Sequence, residues 1–366
     1  MGDGISSRIR GSGKRRRKTG GRRRATVVAA WSAAALVLIG GSGAGYVYFK
    51  LNGNLKGVDI NAQLGGDRPA DSGDGSQNIL VLGSDSRSGA NAEYGRDGGG
   101  ARSDTAMVVH LYKGHKKASV VSVPRDTLID RPACTDSDGA AVGGQRLVMF
   151  NTAYEVGGPA CAVKTVEQMS GLRMDHYIEV DFTGFKKLID TLGGVKITTT
   201  QNIDDPKSHL KLAPGTHTLN GEQSLGLVRT RHSVGDGSDL GRIQLQQSFI
   251  KALIERVKSV GVFSNPKRLY DLADTATRAI TPDSQLDTVN KLVGFAGGLK
   301  ELGAQDVHMV TLPVRYDPQD PNRVLPLPAA GRQVWTALKQ DKPIPASATR
   351  DSAGDKGSAH SVVNSG

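Results

Sequence analysis

The signatures of the commonest hydrolases and nucleotide enzymes are missing from this 366-residue chain. It has no G-x-S-x-G elbow; the nearest segment, Gly83-Ser84-Asp85-Ser86, lacks the pattern, which argues against a serine hydrolase of the α/β type. Neither a G-x-x-x-x-G-K-[ST] phosphate loop nor an H-E-x-x-H zinc helix occurs. The eight histidines are scattered and read as surface or satisfied core groups, not as a metal set. No internal repeat is visible.

Charge is absent from residues 25–49, directly after a segment that holds ten Lys and Arg among its first 24 residues. At about 1.5 Å per helical residue, Ala25 to Phe49 is long enough for a hydrocarbon core of about 30 Å and reads as one membrane span. Arg15, Arg16, Arg17, Lys18, Arg22, Arg23 and Arg24 precede it, so the positive-inside rule keeps the N-terminus cytoplasmic and places the rest outside. A cleaved signal peptide is the competing reading. Against it stand the aromatic Tyr46, Tyr48 and Phe49 and the want of a clear A-x-A site. Of the +11 net charge, residues 1–24 carry +9, leaving +2 for everything else. Such a tail serves topology and contact with anionic lipid, and no helical DNA reader accompanies it, so nucleic acid is not expected as a partner.

Cysteine is nearly absent too. Cys134 and Cys161 are the two present, and in an oxidising compartment they are expected to form a disulfide. A zinc site would need further Cys or His partners at close spacing, and none is present.

What remains is organised as a basic tail over 1–24, the span over 25–49, a Gly/Asn/Asp/Ser-rich linker over 50–77, a folded domain over 78–342, and a Ser/Ala/Gly-rich tail over 343–366 that composition marks as disordered. The domain alternates β-branched runs with helical patterns, which predicts an α/β fold. Strands are expected at Ile79–Leu82, Ala106–Tyr112, Ala118–Val123, Tyr177–Phe182, Val195–Thr199 and Val307–Leu312. Helices are expected at Ala160–Met169, Phe185–Leu192, Asn220–Leu227, Asp239–Val260 and Ser284–Leu299. The broad apolar face of the helix begun at Asp239, a good N-cap, needs covering, and a mixed central sheet with helices on both sides is the economical solution.

One constellation carries chemistry. The hairpin of Ala106–Tyr112 and Ala118–Val123 is centred between Gly114 and His115, so Asp104 and Arg125 should face each other at its open end, with Arg102 and Asp126 beside them. If Ile79–Leu82 pairs antiparallel with the next strand, Asp85 joins the same rim. Paired carboxylates with arginines suit a metal-bridged phosphate: Mg2+ takes one or two carboxylates plus phosphate oxygens, and arginine forks grip phosphate without losing charge. Arg229 and Arg231 converge only in an extended segment. Arg242 and Gln246 lie on one face at the start of the long helix, whose N-terminus favours an anion. Singly, an Asp here is a turn residue or cap and an Arg pair is solvated surface. Their combination across four segments points further.

The residues Asn78-Ile79-Leu80-Val81-Leu82-Gly83-Ser84-Asp85-Ser86-Arg87, Arg102-Ser103-Asp104-Thr105, Ser122-Val123-Pro124-Arg125-Asp126, Asn151-Thr152-Ala153-Tyr154 with Gly157-Gly158, Asp181-Phe182 with Gly184-Phe185, and Arg229-Thr230-Arg231 closely resemble the LytR–CpsA–Psr family of cell-envelope proteins. The resemblance implies an α-β-α sandwich with an apolar channel for a polyprenyl chain. It also implies transfer of a glycopolymer from undecaprenyl pyrophosphate to peptidoglycan through a phosphodiester, outside the cytoplasmic membrane. By that similarity Asp85 and Asp104 would hold Mg2+, or Mn2+ in its place. Arg102, Arg125, Arg229 and Arg231 would grip the phosphates, with Arg242 and Gln246 completing the head-group site. A carboxylate such as Asp126, or solvent, would take the proton of the attacking hydroxyl. Two departures stand out: Met149 where many relatives have Lys, and Leu245 where many have Arg. The rival functions are a polyprenyl-pyrophosphate phosphatase and a non-catalytic envelope-binding or regulatory protein.

Overall fold

The computed structural model describes residues 44–85, 102–136, 138–231, 239–261, 265–355 and 363–364. It divides into two units, residues 1–50 and 51–366. In the first, residues 44–50 are helical, and the basic tail and most of the expected span lie outside the described residues. Among the described residues no helix is long and apolar enough to cross a membrane.

The second unit is built on a six-stranded mixed sheet. Strands β1 (Gln77–Asp85), β2 (Arg102–Leu111) and β3 (Ala118–Val123) are consecutive antiparallel neighbours. Past β3 come a hairpin of β4 (Leu128–Arg131) and β5 (Gln145–Met149), then helix α1 (Asn151–Ser170). Strand β6 (His176–Asp181) returns parallel to β1 and runs into α2 (Phe182–Thr191). A second small sheet pairs β7 (Val195–Thr199) with β8 (Gly215–Leu219), followed by α3 (Gly221–Arg229), α4 (Asp239–Ser259) and α5 (Pro266–Ala279). Strand β9 (Ile280–Pro282) closes one edge of the main sheet beside β6, and β10 (Val307–Thr311) closes the other beside β3, giving the order β9-β6-β1-β2-β3-β10.

Both faces of this sheet are covered, which is why its strands read as nearly continuous apolar runs: all six residues of β3 are buried. Leu80, Leu82, Val108 and Val121 point to α1 and Trp335, whereas Ile79, Val81, Val109 and Val120 pack towards Ile254 of α4 and Phe295. The α-β-α sandwich expected from the sequence is therefore present. Its hairpin register is also the expected one, from Leu111 opposite Ala118 to Ala106 opposite Val123, symmetric about Gly114-His115.

Other expectations are corrected. Helix α1 begins nine residues before Ala160, because Gly157 (φ −141°) and Gly158 (φ 58°) let two helical segments join across a kink ahead of Pro159. Cys134 and Cys161 do form the disulfide, with Cα atoms 5.5 Å apart, and it fastens the chain before β5 to α1 just past that kink. Arg229 is the last residue of a helix, not part of an extended segment. Helix α5 went unforeseen, although Asn265 as N-cap and Pro266 at its first turn mark its start.

The linker and tail are not simple tethers. Ile60 and Leu64 are buried in the main core, and Arg68 makes a buried ion pair with Glu167 of α1 at 2.6 Å. Ile344, Ala348 and Val363 are likewise buried, and Val363 pairs with Thr199 as a third strand of the small sheet. A few apolar side chains spaced among polar ones suffice to dock a segment, and average composition hides them.

Candidate anion-binding site

The sheet sets the site at one end of β1, β2 and β3. Asp85 is the last residue of β1 and stands opposite Arg102, while Gly83 stands opposite Thr105 and Ser84 opposite Ser103. Asp104 is thus the extra residue of a bulge, inserted where the ladder ends. The side chains of Asp85, Arg102 and Asp104 lie outside the described residues. Their backbones put two aspartates on adjacent strands a few residues apart, a donor set that fits Mg2+ completed by phosphate and water. Among the described residues there is no group of three His, Cys, Asp or Glu able to hold a metal ion.

Arg125 leaves the sheet two residues past Val123. Pro124 has no N–H to continue the ladder, and Thr127 closes a turn on it, donating its N–H and its Oγ1 hydroxyl to the Pro124 carbonyl at 3.0 and 2.6 Å. The Arg125 carbonyl accepts from Asn151 N–H at 3.2 Å, so the start of α1 braces this turn. The β2–β3 pairing stops at Ala106–Val123, so the facing of Asp104 and Arg125 is an extension of its register rather than a described pair.

Arg231 is fixed from its backbone. Thr230 ends α3 with ψ 135°, its buried hydroxyl donates to the Gly226 carbonyl at 2.9 Å, and Arg231 N–H donates to Asp205 Oδ2 at 2.9 Å. Two residues before Arg231, the Arg229 guanidinium sits 5.5 Å over the ring of Phe182, a cation–π contact. Phe182 can be there because α2 approaches α5 closely at Gly184, where a Cβ would run into the backbone of Ala279.

These arginines meet at a residue read from sequence only as a helix cap. Oδ1 of Asp239 lies 2.5 Å from Arg242 Nη2, 3.7 Å from Arg125 Nε and 3.7 Å from Arg231 Nη2. Three guanidiniums from three segments surround one carboxylate at the N-terminus of α4, a helix end that itself favours an anion. The i,i+3 spacing of Asp239 and Arg242 was the available signal. Gln246 is engaged within the protein: its amide nitrogen donates to Thr105 Oγ1 at 3.1 Å and to the Val228 carbonyl at 2.9 Å. Both amide hydrogens are thereby used, and the side chain ties β2 beside Asp104 to α3 beside Arg229.

On the other side of β1, Glu179 Oε2 accepts from the hydroxyls of Tyr154 at 2.9 Å and Tyr177 at 2.8 Å. Ser84, the residue before Asp85, is buried. Burial first, and the neighbouring Glu179 charge second, push both phenols well above the ordinary tyrosine range. This network was not foreseen. Leu245 is fully buried in the core under the small sheet, so that position packs and makes no phosphate contact. Met149 ends β5 opposite Leu128. Two described cavities, one of about 120 Å3 lined by Gln247, residues 308–311, Thr349, Gly354 and Asp355, and an open one of about 600 Å3 along residues 329–345, include no residue of the cluster.

The LytR_cpsA_psr family model matches residues 47–340. The chain belongs to the LytR–CpsA–Psr family. It is 32% identical over 307 residues to the cell wall biosynthesis protein LcpA of Corynebacterium glutamicum, covering 75% of this chain and 57% of LcpA. It therefore spans little more than half the length of that relative. It is 31% identical over 278 residues to the polyisoprenyl-teichoic acid–peptidoglycan teichoic acid transferase TagT of Bacillus subtilis, covering 73% of this chain and 80% of TagT. The structure of TagT bound to LIIa-WTA matches with a TM-score of 0.56 at 25% identity over 78% of this chain and 98% of that one. The LytR-Csp2A-Psr enzyme from Actinomyces oris shares the fold, with a TM-score of 0.56 at 23% identity over 77% and 95% of the two chains.

Proposed function

We propose that this LytR–CpsA–Psr protein transfers a glycopolymer from an undecaprenyl-pyrophosphate carrier to peptidoglycan through a phosphodiester bond, at the outer face of the cytoplasmic membrane. The observation that carries the reading is the convergence of Arg125, Arg231 and Arg242 on Asp239, beside the strand ends that bear Asp85 and Asp104. The naming of TagT as a teichoic acid transferase supports the reaction class.

In this reading a muramic acid hydroxyl of peptidoglycan attacks the phosphorus that carries the polymer, its proton passes to a carboxylate such as Asp126 or to solvent, and the bond to the departing polyprenyl phosphate breaks. Arg125, Arg231 and Arg242 bind the phosphate oxygens and offset the charge that grows on the leaving group, with Arg102 and Arg229 alongside. Asp239 holds the three guanidiniums converged before substrate arrives, which removes the cost of gathering like charges at the moment of binding. Asp85 and Asp104 would hold Mg2+, which supplies Lewis-acid polarisation of the phosphoryl oxygens when bound. Gln246 keeps the ends of β2 and α3 in register with α4. The apolar run 25–49 anchors the chain beside its lipid substrate, with residues 1–24 on the cytoplasmic side.

The test incubates purified full-length protein with Mg2+, a lipid-pyrophosphate-linked oligosaccharide and peptidoglycan oligomers, and looks for the joined phosphodiester by mass spectrometry. Product is expected; Asp85→Ala and Asp104→Ala should each abolish it, and Arg125→Ala should slow its formation about 10²- to 10³-fold. Release of the oligosaccharide phosphate to water alone would establish a phosphatase, and donor binding without turnover a binding protein. Product untouched by the three substitutions would refute the site.

A further inference from the structure

A row of alternating charge leads outward from Asp239. Arg125 Nε lies 3.7 Å from Asp239 Oδ1 and 3.6 Å from Asp126 Oδ2. The other oxygen of Asp126 is 3.7 Å from Arg323 Nη1, and Arg323 Nε is 3.7 Å from Asp320 Oδ2. Side-chain exposure rises from 10% at Asp239 to 31% at Arg323 and 44% at Asp320, so the row runs from the interior of the site to its rim. Each separation is longer than the 2.7–3.2 Å of an N–H···O hydrogen bond, so these charges attract without being locked together.

Arg323 is held at this place by its backbone. The following residue, Val324, donates its N–H to the Asp126 carbonyl at 3.3 Å, and Val324 forms a parallel bridge with Thr127. Arg323 itself donates N–H to the Asp320 carbonyl at 2.9 Å and accepts from Asp317 N–H at 3.0 Å. It belongs to a hairpin of Val314–Tyr316 with Val324–Pro326, far in sequence from every segment of the arginine cluster.

We propose that Arg323 is a positioning residue for the anion site and acts through Asp126. Asp126 can pair fully with Arg125, and that pairing competes with a phosphate for the same guanidinium. Its negative charge also repels an incoming pyrophosphate. Arg323 offsets that charge and draws one carboxylate oxygen away from Arg125, which lowers the competition that Asp126 offers a phosphate for the Arg125 guanidinium. The inference rests on the phosphate-binding reading of the site.

The test measures the affinity of full-length protein in detergent for inorganic pyrophosphate with Mg2+, by calorimetry, as a double-mutant cycle. Arg323→Ala should weaken binding about five- to tenfold, whereas Arg323→Lys, which keeps the charge, should stay within about twofold of the parent. In an Asp126→Asn background, where there is no carboxylate charge to offset, Arg323→Ala should change affinity by less than about twofold. The same loss in both backgrounds would mean that Arg323 touches the ligand directly, and no loss in the parent would mean that it does not act on the site; either result overturns the proposal. Absence of pyrophosphate binding by the unmodified protein would refute the site reading itself, and the role of Arg323 with it.

Discussion

Arg125 and Gln246 divide the work of the site between contact and support. Arg125 is placed by a turn whose bonds are all made by backbone and by Thr127, so Arg125→Ala should leave the fold intact while lowering the transfer rate about 10²- to 10³-fold, the usual loss when one transition-state donor is removed. Gln246 is buried and spends its amide on Thr105 and Val228. Gln246→Leu should therefore cost about 1–3 kcal/mol of stability in denaturant unfolding, through loss of the bonds to Thr105 and the Val228 carbonyl, as well as activity. Hairpin symmetry placed Arg125 just past the paired end of β3, and the family motif singled it out as a site residue. Asp239 was not recognised as a partner of three arginines, because a cap residue looks the same in sequence whether its carboxylate meets backbone or guanidinium.

At the scale of elements, the segment before β1 is part of the domain's stability. Arg68 is fixed to Glu167 by both carboxylate oxygens and also donates to the Met174 carbonyl and Asn61 Oδ1, all within 3.1 Å. Removing one member of so buried a pair strands the other charge, so Arg68→Ala should destabilise by about 3–5 kcal/mol in thermal or denaturant melts. Asp283 ties β9 to β6, accepting from Tyr177 N–H at 2.9 Å and facing His176 Nδ1 at 3.1 Å. Burial opposes its ionisation, yet the bonds from His176, Tyr177 and Gln285 outweigh that and hold its carboxyl below the usual value. A depressed carboxyl contributes stability above its unfolded value of about 3.9 and loses it as pH falls through the folded value. Melting temperature should accordingly drop below about pH 4, and the drop should be shallower in Asp283→Asn. The hairpin register was readable because turn and alternation fix it together. The α1 kink was not, since Gly157-Gly158-Pro159 ends a helix as readily as it bends one.

For the whole molecule, the layers of the sandwich followed from apolar runs and helical faces, and they hold one sheet end open to four separate chain segments. The boundaries were harder to read. Burial of Ile60, Leu64 and Val363 depends on pockets formed by residues distant in sequence, which local composition does not encode. If residues 25–49 cross the membrane as proposed, the full-length protein should stay in the membrane pellet after alkaline carbonate extraction. A tag at its C-terminus should then be cut by protease added to cells from outside; a protected tag or release into the soluble fraction would contradict that topology. The most direct measurement is a crystal structure of the protein with Mg2+ and a short-chain polyprenyl pyrophosphate. The pyrophosphate should lie within hydrogen-bonding distance of Arg125, Arg231 and Arg242 at the N-terminus of α4. A ligand bound elsewhere, with those three guanidiniums still turned to Asp239, would contradict the central claim.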